Sequence, residues 1–155
     1  AELLKTHLQP HFLMNALTSI IEWVETAPPQ GARALEALSA ELRMLADVSG
    51  EQLIPMAREL RLCRTHLDVM GYRKGNTFEL DASGVDGEAP IQPEVIHTLV
   101  ERAITHNAYP PGLVRFTLRE EHTAAPRTLT FSAPLATPSP AVRPERGGLP
   151  NPARG

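Results

Sequence analysis

The sequence predicts an α+β protein: an antiparallel helical hairpin followed by a small α/β layer. Three observations carry this. Apolar residues recur at helical spacing in two early segments separated by Ala27-Pro28-Pro29-Gln30-Gly31. Helical periodicity then returns twice more, and short alternating stretches occur only after the first helical three. Runs of helix followed by mixed short strands argue for segregated layers rather than a regular α/β repeat.

The first helix is expected from Glu2 to about Thr26, on Leu13, Leu17, Ile20, Ile21 and Val24. Its other face carries His7, His11, Asn15, Thr18 and Glu22, so His11 is expected to be exposed. Pro10 lies inside the pattern, where it removes a backbone donor and crowds the preceding turn, and a local kink is expected there. The second helix repeats Leu35, Leu38, Leu42 and Leu45 at heptad spacing. A hairpin with one apolar seam per helix is satisfied economically by two-fold dimerisation into a four-helix bundle.

A third helix is expected from about Pro55 to Tyr72, with Leu60, Cys63, Leu67 and Met70 inward. Thr77-Phe78-Glu79-Leu80 reads as a strand, and a turn region runs through Pro90. Helix returns from Pro93 to about Asn107, with Val95, Ile96, Leu99, Val100, Ala103 and Ile104 on one broad face. Leu113–Arg119 and Thr128–Ser132 alternate as two more strands, giving a small, mainly antiparallel sheet. Beyond Phe131 the apolar periodicity fades and prolines accumulate, so 134–155 is expected to be an irregular, mobile tail. The expected division is therefore 1–50, 51–133 and 134–155.

Composition narrows function. The net charge of −3 gives no global basic field, which weighs against nucleic-acid binding driven by phosphate neutralisation. One cysteine, Cys63, cannot form an intramolecular disulfide, and no apolar run reaches the ~18–20 residues that span a bilayer. The chain reads as cytosolic and, starting at Ala1 without a signal segment, as processed or cut from something longer. His7 and His11 place two imidazoles on one helical face, as a zinc pair requires, but the sequence suggests no third ligand. Cys63 sits on an apolar seam, and His97 and His106 face different directions, so no metal site is expected. His11 remains the residue of interest: an exposed imidazole on a rigid helix can act as a nucleophile through its neutral ring nitrogen.

The residues from Leu4 to Ile20, with Gln9-Pro10-His11-Phe12-Leu13-Met14-Asn15 at their centre, closely resemble the phosphoacceptor box of LytS/AlgZ-type sensor histidine kinases, Q-x-x-PHFLFN-x-L-N-x-I. The resemblance continues in order. Leu38-Ser39-Ala40-Glu41-Leu42-Arg43 is similar to the family's L-S-x-L-L-R. Pro55–Arg73, with Glu59-Leu60 and His66-Leu67, is similar to its L-x-x-E-L-x-x-x-x-x-Y-L-x-I-x-x-x-R helix. Gln92–Asn107 is similar to its Q-P-L-V-E-N-A-I-x-H-G box.

This resemblance implies a sensor kinase core. A dimeric hairpin would present His11 as phosphoacceptor, with Pro10 and Asn15 of the same box beside it. A GHKL-type ATP-binding domain would follow over 51–133, using ATP and Mg²⁺, and the partner would be the receiver domain of a response regulator. The implied nucleotide-site positions are Glu101, Arg102 and His106, and, through a faint likeness to the family's G-x-G-L-x-N loop, Gly147, Gly148 and Asn151. The implied setting is the cytoplasmic part of a bacterial sensor attached to the inner membrane by an unseen upstream segment.

The nucleotide half departs from the pattern. Arg102 stands where the family has the asparagine that holds Mg²⁺, and an arginine has only donors and a permanent charge. Ala133-Pro134-Leu135-Ala136 stands where the adenine-recognising D-x-G box is expected. Judged against ordinary domain size, roughly 35 residues that would close the family's sheet are expected to be absent from this stretch. The expectation is an atypical kinase with weakened or lost ATP binding, or alternatively a noncatalytic pseudokinase scaffold that dimerises and binds a regulator.

Overall fold

The computed structural model describes residues 10–121 and 126–138, with side chains for 13–121 and 126–137. Helix α1 spans Pro10–Thr26 and α2 spans Pro28–Val48. The break between them is tighter than the five-residue Pro/Gly motif suggests, because Pro28 and Pro29 open α2, where a missing N–H costs nothing. Ala27 alone turns the chain. Gly31, in the first turns of α2, lies so close to α1 that a Cβ there would sit 3.1 Å from the Val24 backbone nitrogen.

The inward stripe of α2 is Ala34, Leu38, Glu41, Leu45 and Val48, while Leu42 is half-buried and Leu35 exposed. The expected leucine seam is thus correct at Leu38 and Leu45 and displaced at the other two. On α1, Ala16 and Ile20 are buried with Trp23 packed behind them. Met14, Ile21 and Val24 stay 62%, 65% and 57% exposed. The apolar surface of α1 is therefore wider than α2 can cover.

A two-residue β1 (Ile54–Pro55) leads into α3 (Met56–Lys74). The expected seam of α3 is realised, with Leu60, Cys63, Leu67 and Met70 all buried, and its C-cap is Gly75 in the left-handed region at φ 70°. Strand β2 (Asn76–Asp81) follows, then β3 (Pro90–Ile91), α4 (Val95–Thr105), β4 (Asn107–Ala108), β5 (Gly112–Glu121), β6 (Thr128–Ser132) and β7 (Thr137–Pro138). Helix α4 starts two residues later than its apolar pattern predicts because Glu94 is left-handed, at φ 69°.

The principal sheet has the order β2-β5-β6. It is mixed, which corrects the mainly antiparallel expectation: β2 and β5 run parallel from Asn76 opposite Gly112, and β5 and β6 are antiparallel. The reason is the connection. The chain between β2 and β5 contains α4, and a helical crossover returns the next strand in the same direction. Phe78 and Leu80 of β2 and Val114, Phe116 and Leu118 of β5 alternate inward. They meet Ile96, Val100 and Ile104 of α4 and the inner face of α3 in one core. The opposite face is open to solvent and carries the exposed Glu79–Arg115 pair at 3.2 Å. Thr137 and Pro138, in the segment read as irregular, pair antiparallel with Ala108 and Asn107.

Candidate functional site

His11 and Pro10 lie in the first turn of α1, and their side chains are outside the described residues. Asn15, one helical turn after His11, is exposed, as are Thr18 and Glu22 further along the same polar row. The first part of the row, including His7, lies outside the described residues. The face that would present His11 thus continues into solvent rather than into the core.

Three of the positions that the resemblance implies for a nucleotide site, Glu101, Arg102 and His106, lie on α4 or at its C-cap. Glu101 is buried at 8% exposure, while Arg102 points outward and His106 forms the exposed C-cap, its amide donating to the Arg102 carbonyl at 3.0 Å. Asn107 donates from Nδ2 to the Ala103 carbonyl at 2.9 Å, and the Tyr109 hydroxyl donates to the same oxygen at 3.1 Å. Gly147, Gly148 and Asn151 lie outside the described residues. Thus Glu101 and Arg102 share α4, and His106 caps its C-terminus.

The position of α4 is set from α3. Glu59, buried within α3, accepts from the Glu94 amide through Oε2 at 2.9 Å and from the Ile96 and His97 amides through Oε1 at 3.0 Å each. Those are orphan donors of a helix N-terminus, where a carboxylate also meets the positive end of the helix dipole. Burial raises the Glu59 pKa above the ordinary range despite these bonds.

A second buried carboxylate ties the hairpin to the same region. Oε1 of Glu41 on α2 lies 2.6 Å from Nδ1 of His66 on α3 and 2.9 Å from Nε2 of His97 on α4. Glu41 and His66 are fully buried and His97 nearly so. Burial by itself would raise the Glu41 pKa, but the hydrogen bonds and charge of the two imidazoles outweigh it and hold the carboxyl below its usual range. Burial would lower His97, and the bond to Glu41 with its charge outweighs that too, so His97 is shifted upward. Sequence reading missed this cluster. Its members are 25 and 56 residues apart along the chain, and no local spacing signals them. Cys63, one turn before His66, is buried, and burial pushes its thiol well above the ordinary pKa, against a nucleophilic role.

The described residues thus form a hairpin with a solvent-facing polar row, followed by an α/β layer. Over residues 1–78 the chain matches the family described as Histidine kinase, and it belongs to that family. It is similar to the sensor protein LytS of Bacillus subtilis (strain 168), at 28% identity over 110 residues covering 69% of this chain. It is equally similar, at 28% over 110 residues, to the sensor proteins LytS of Bacillus cereus and Bacillus anthracis. The LytS-type kinship inferred from the phosphoacceptor box is thereby established. The chain spans 18% of the length of these relatives. Among the described residues no helix is long and apolar enough to cross a membrane.

Proposed function

We propose that this chain is the core of an atypical sensor histidine kinase of a two-component system, in which His11 accepts a phosphoryl group and passes it to an aspartate of a response regulator's receiver domain. A neutral ring nitrogen of His11 attacks the γ-phosphorus of ATP, an N–P bond forms, and the bond from phosphorus to the ADP oxygen breaks. The observation that carries this reading is the phosphoacceptor box Gln9–Asn15 in the sequence, whose residues from Pro10 on open a helix with Asn15, Thr18 and Glu22 exposed. Residues 1–50 form the dimerising hairpin, 51–133 a degenerate GHKL-like ATP-binding unit, and 134–155 a proline- and glycine-rich tail.

The ATP step is weakened at Arg102. An exposed guanidinium in the position of a Mg²⁺-holding amide repels the cation that would neutralise the triphosphate. The same residue favours a second reading, a noncatalytic scaffold that dimerises, binds a regulator and accepts phosphate on His11 from another donor. The test is incubation of the full chain with radiolabelled ATP and Mg²⁺, alone and with an active LytS-type kinase added as donor. Slow, acid-labile labelling of the chain alone that disappears in His11→Gln supports the kinase. Labelling only with the donor supports the scaffold, and no His11-dependent label under either condition removes the phosphorelay.

The dimer is proposed on the uncovered face of α1. Met14, Ile21 and Val24, with Leu35 of α2, form an apolar surface that a second copy would bury. Light scattering is expected to give twice the 16.9 kDa chain mass. Ile21→Glu, at a position 65% exposed in the single chain, is expected to yield folded monomer. A monomeric wild type at micromolar concentration would remove the bundle.

A further inference from the structure

We propose that Glu41, His66 and His97 form a binding site for one divalent transition-metal ion, with Zn²⁺ the best match to its two nitrogens and one carboxylate. Each residue comes from a different helix, and one ligand atom of each lies within 4.8 Å of the others. Both imidazoles aim a ring nitrogen at the same oxygen, at 2.6 and 2.9 Å. The other carboxylate oxygen, Oε2 of Glu41, is buried and has no hydrogen-bond partner among the described residues.

That last atom is what a network of protons alone leaves unexplained. Two N–H donors converge on Oε1 while its twin, equally rich in charge, is desolvated with nothing to accept. Buried carboxylate oxygens are ordinarily satisfied, and a cation held by the same carboxylate would satisfy this one. Zinc with nitrogen and oxygen ligands at about 2.0–2.1 Å sets neighbouring ligand atoms about 3.3 Å apart in a tetrahedron. The 2.6 and 2.9 Å separations need to open by about 0.7 and 0.4 Å to reach that spacing, within the reach of side-chain torsions. The nitrogens that now face the carboxylate would bind the ion. A neutral imidazole moves the proton on that nitrogen to its other ring nitrogen, and a charged one releases it to solvent.

Two of the three residues are departures from the family pattern. Glu41 stands where L-S-x-L-L-R has leucine, and His66 where the third helix has tyrosine. These replacements bring a carboxylate and an imidazole into a helical core, and the fold places them in contact. The ion would cross-link α2 of the hairpin to α3 and α4, fixing the hairpin against the layer that carries Glu101 and Arg102. The site owes nothing to the phosphoacceptor chemistry and stands or falls separately from it.

The experiment uses the full chain, stripped with EDTA and titrated with ZnCl₂ and with CoCl₂. The variants are Glu41→Gln, His97→Gln and the double variant His7→Ala/His11→Ala, since the sequence places that histidine pair on one helical face. The expected result is one equivalent bound, a visible Co²⁺ absorption of four- or five-coordinate type, and a raised melting temperature. Affinity should fall at least tenfold in both core variants and remain in the double variant. His97 is the least buried of the three, so His97→Gln keeps the test open if Glu41→Gln does not fold. Failure of folded wild type to take up either ion stoichiometrically overturns the proposal. So does uptake that the core variants leave unchanged or that only the double variant abolishes.

Discussion

Glu59→Ala is expected to destabilise the protein by about 3–5 kcal/mol, enough to unfold a large share of a marginally stable domain. The substitution removes the acceptor of three backbone amides, those of Glu94, Ile96 and His97. It leaves those donors at a helix start packed in the core, each carrying a desolvation penalty of about 1–3 kcal/mol that relaxation and entering water only partly offset. It also opens a cavity in α3, where Glu59 is fully buried. Glu59→Gln keeps the shape and an acceptor oxygen but brings an amide group with donors of its own, so a loss of about half that size is expected. Urea denaturation of both variants checks the order. Equal, small losses would show that α4 is held by its apolar face and not by the carboxylate.

Arg102→Asn is expected to raise affinity for ATP and Mg²⁺ ten- to hundredfold, about 1–3 kcal/mol for a ligand restored and a repulsion removed. The side chain is exposed on α4, so the substitution carries little stability cost and the binding change reads the site itself. Calorimetric titration with and without Mg²⁺ is the measurement. A gain that requires Mg²⁺ places the ion at position 102, adjacent to Glu101. An absence of binding in wild type and variant alike would shift the function to the hairpin and favour the scaffold.

How much of this was legible from the residues depends on what kind of information each feature needs. The seam of α3 was readable because Leu60, Cys63, Leu67 and Met70 are local, apolar and in fact buried. The seam of α2 was read one residue out of phase in its middle. A periodicity count treats glutamate as outward, so it selects Leu42, yet Glu41 is the fully buried residue. Only partners on two other helices make that burial tolerable, and sequence spacing carries no trace of them. Strand positions followed from alternation, whereas direction did not. Alternation is the same for parallel and antiparallel pairing, and the crossover through α4 decided it. The late start of α4 rests on one left-handed residue, Glu94, whose type does not announce that conformation. His11 was singled out through a motif, which is a statement about ancestry, and its side chain lies outside the described residues, while Asn15, one turn along, is exposed.

The fastening of the helices is uneven, and this bears on how a signal could travel. Helices α2, α3 and α4 are joined by the polar contacts of Glu41 and Glu59 deep in the core. Among the described residues, the side chains of α1 form hydrogen bonds only within their own helix, from Thr18 to the Met14 carbonyl and from Thr26 to the Glu22 carbonyl. Its inward contacts, through Ala16, Ile20 and Trp23, are apolar. Dispersion and hydrophobic contacts have no fixed direction, so a small roll or tilt of the N-terminal part of α1, away from the Ala27 turn and the close approach at Gly31, breaks no side-chain hydrogen bond to another helix, whereas the same displacement of α2 would have to break charged bonds in the dry interior. Torque applied at the N-terminal end of α1 would therefore be taken up first as motion of that end, while the block of α2, α3 and α4 holds still.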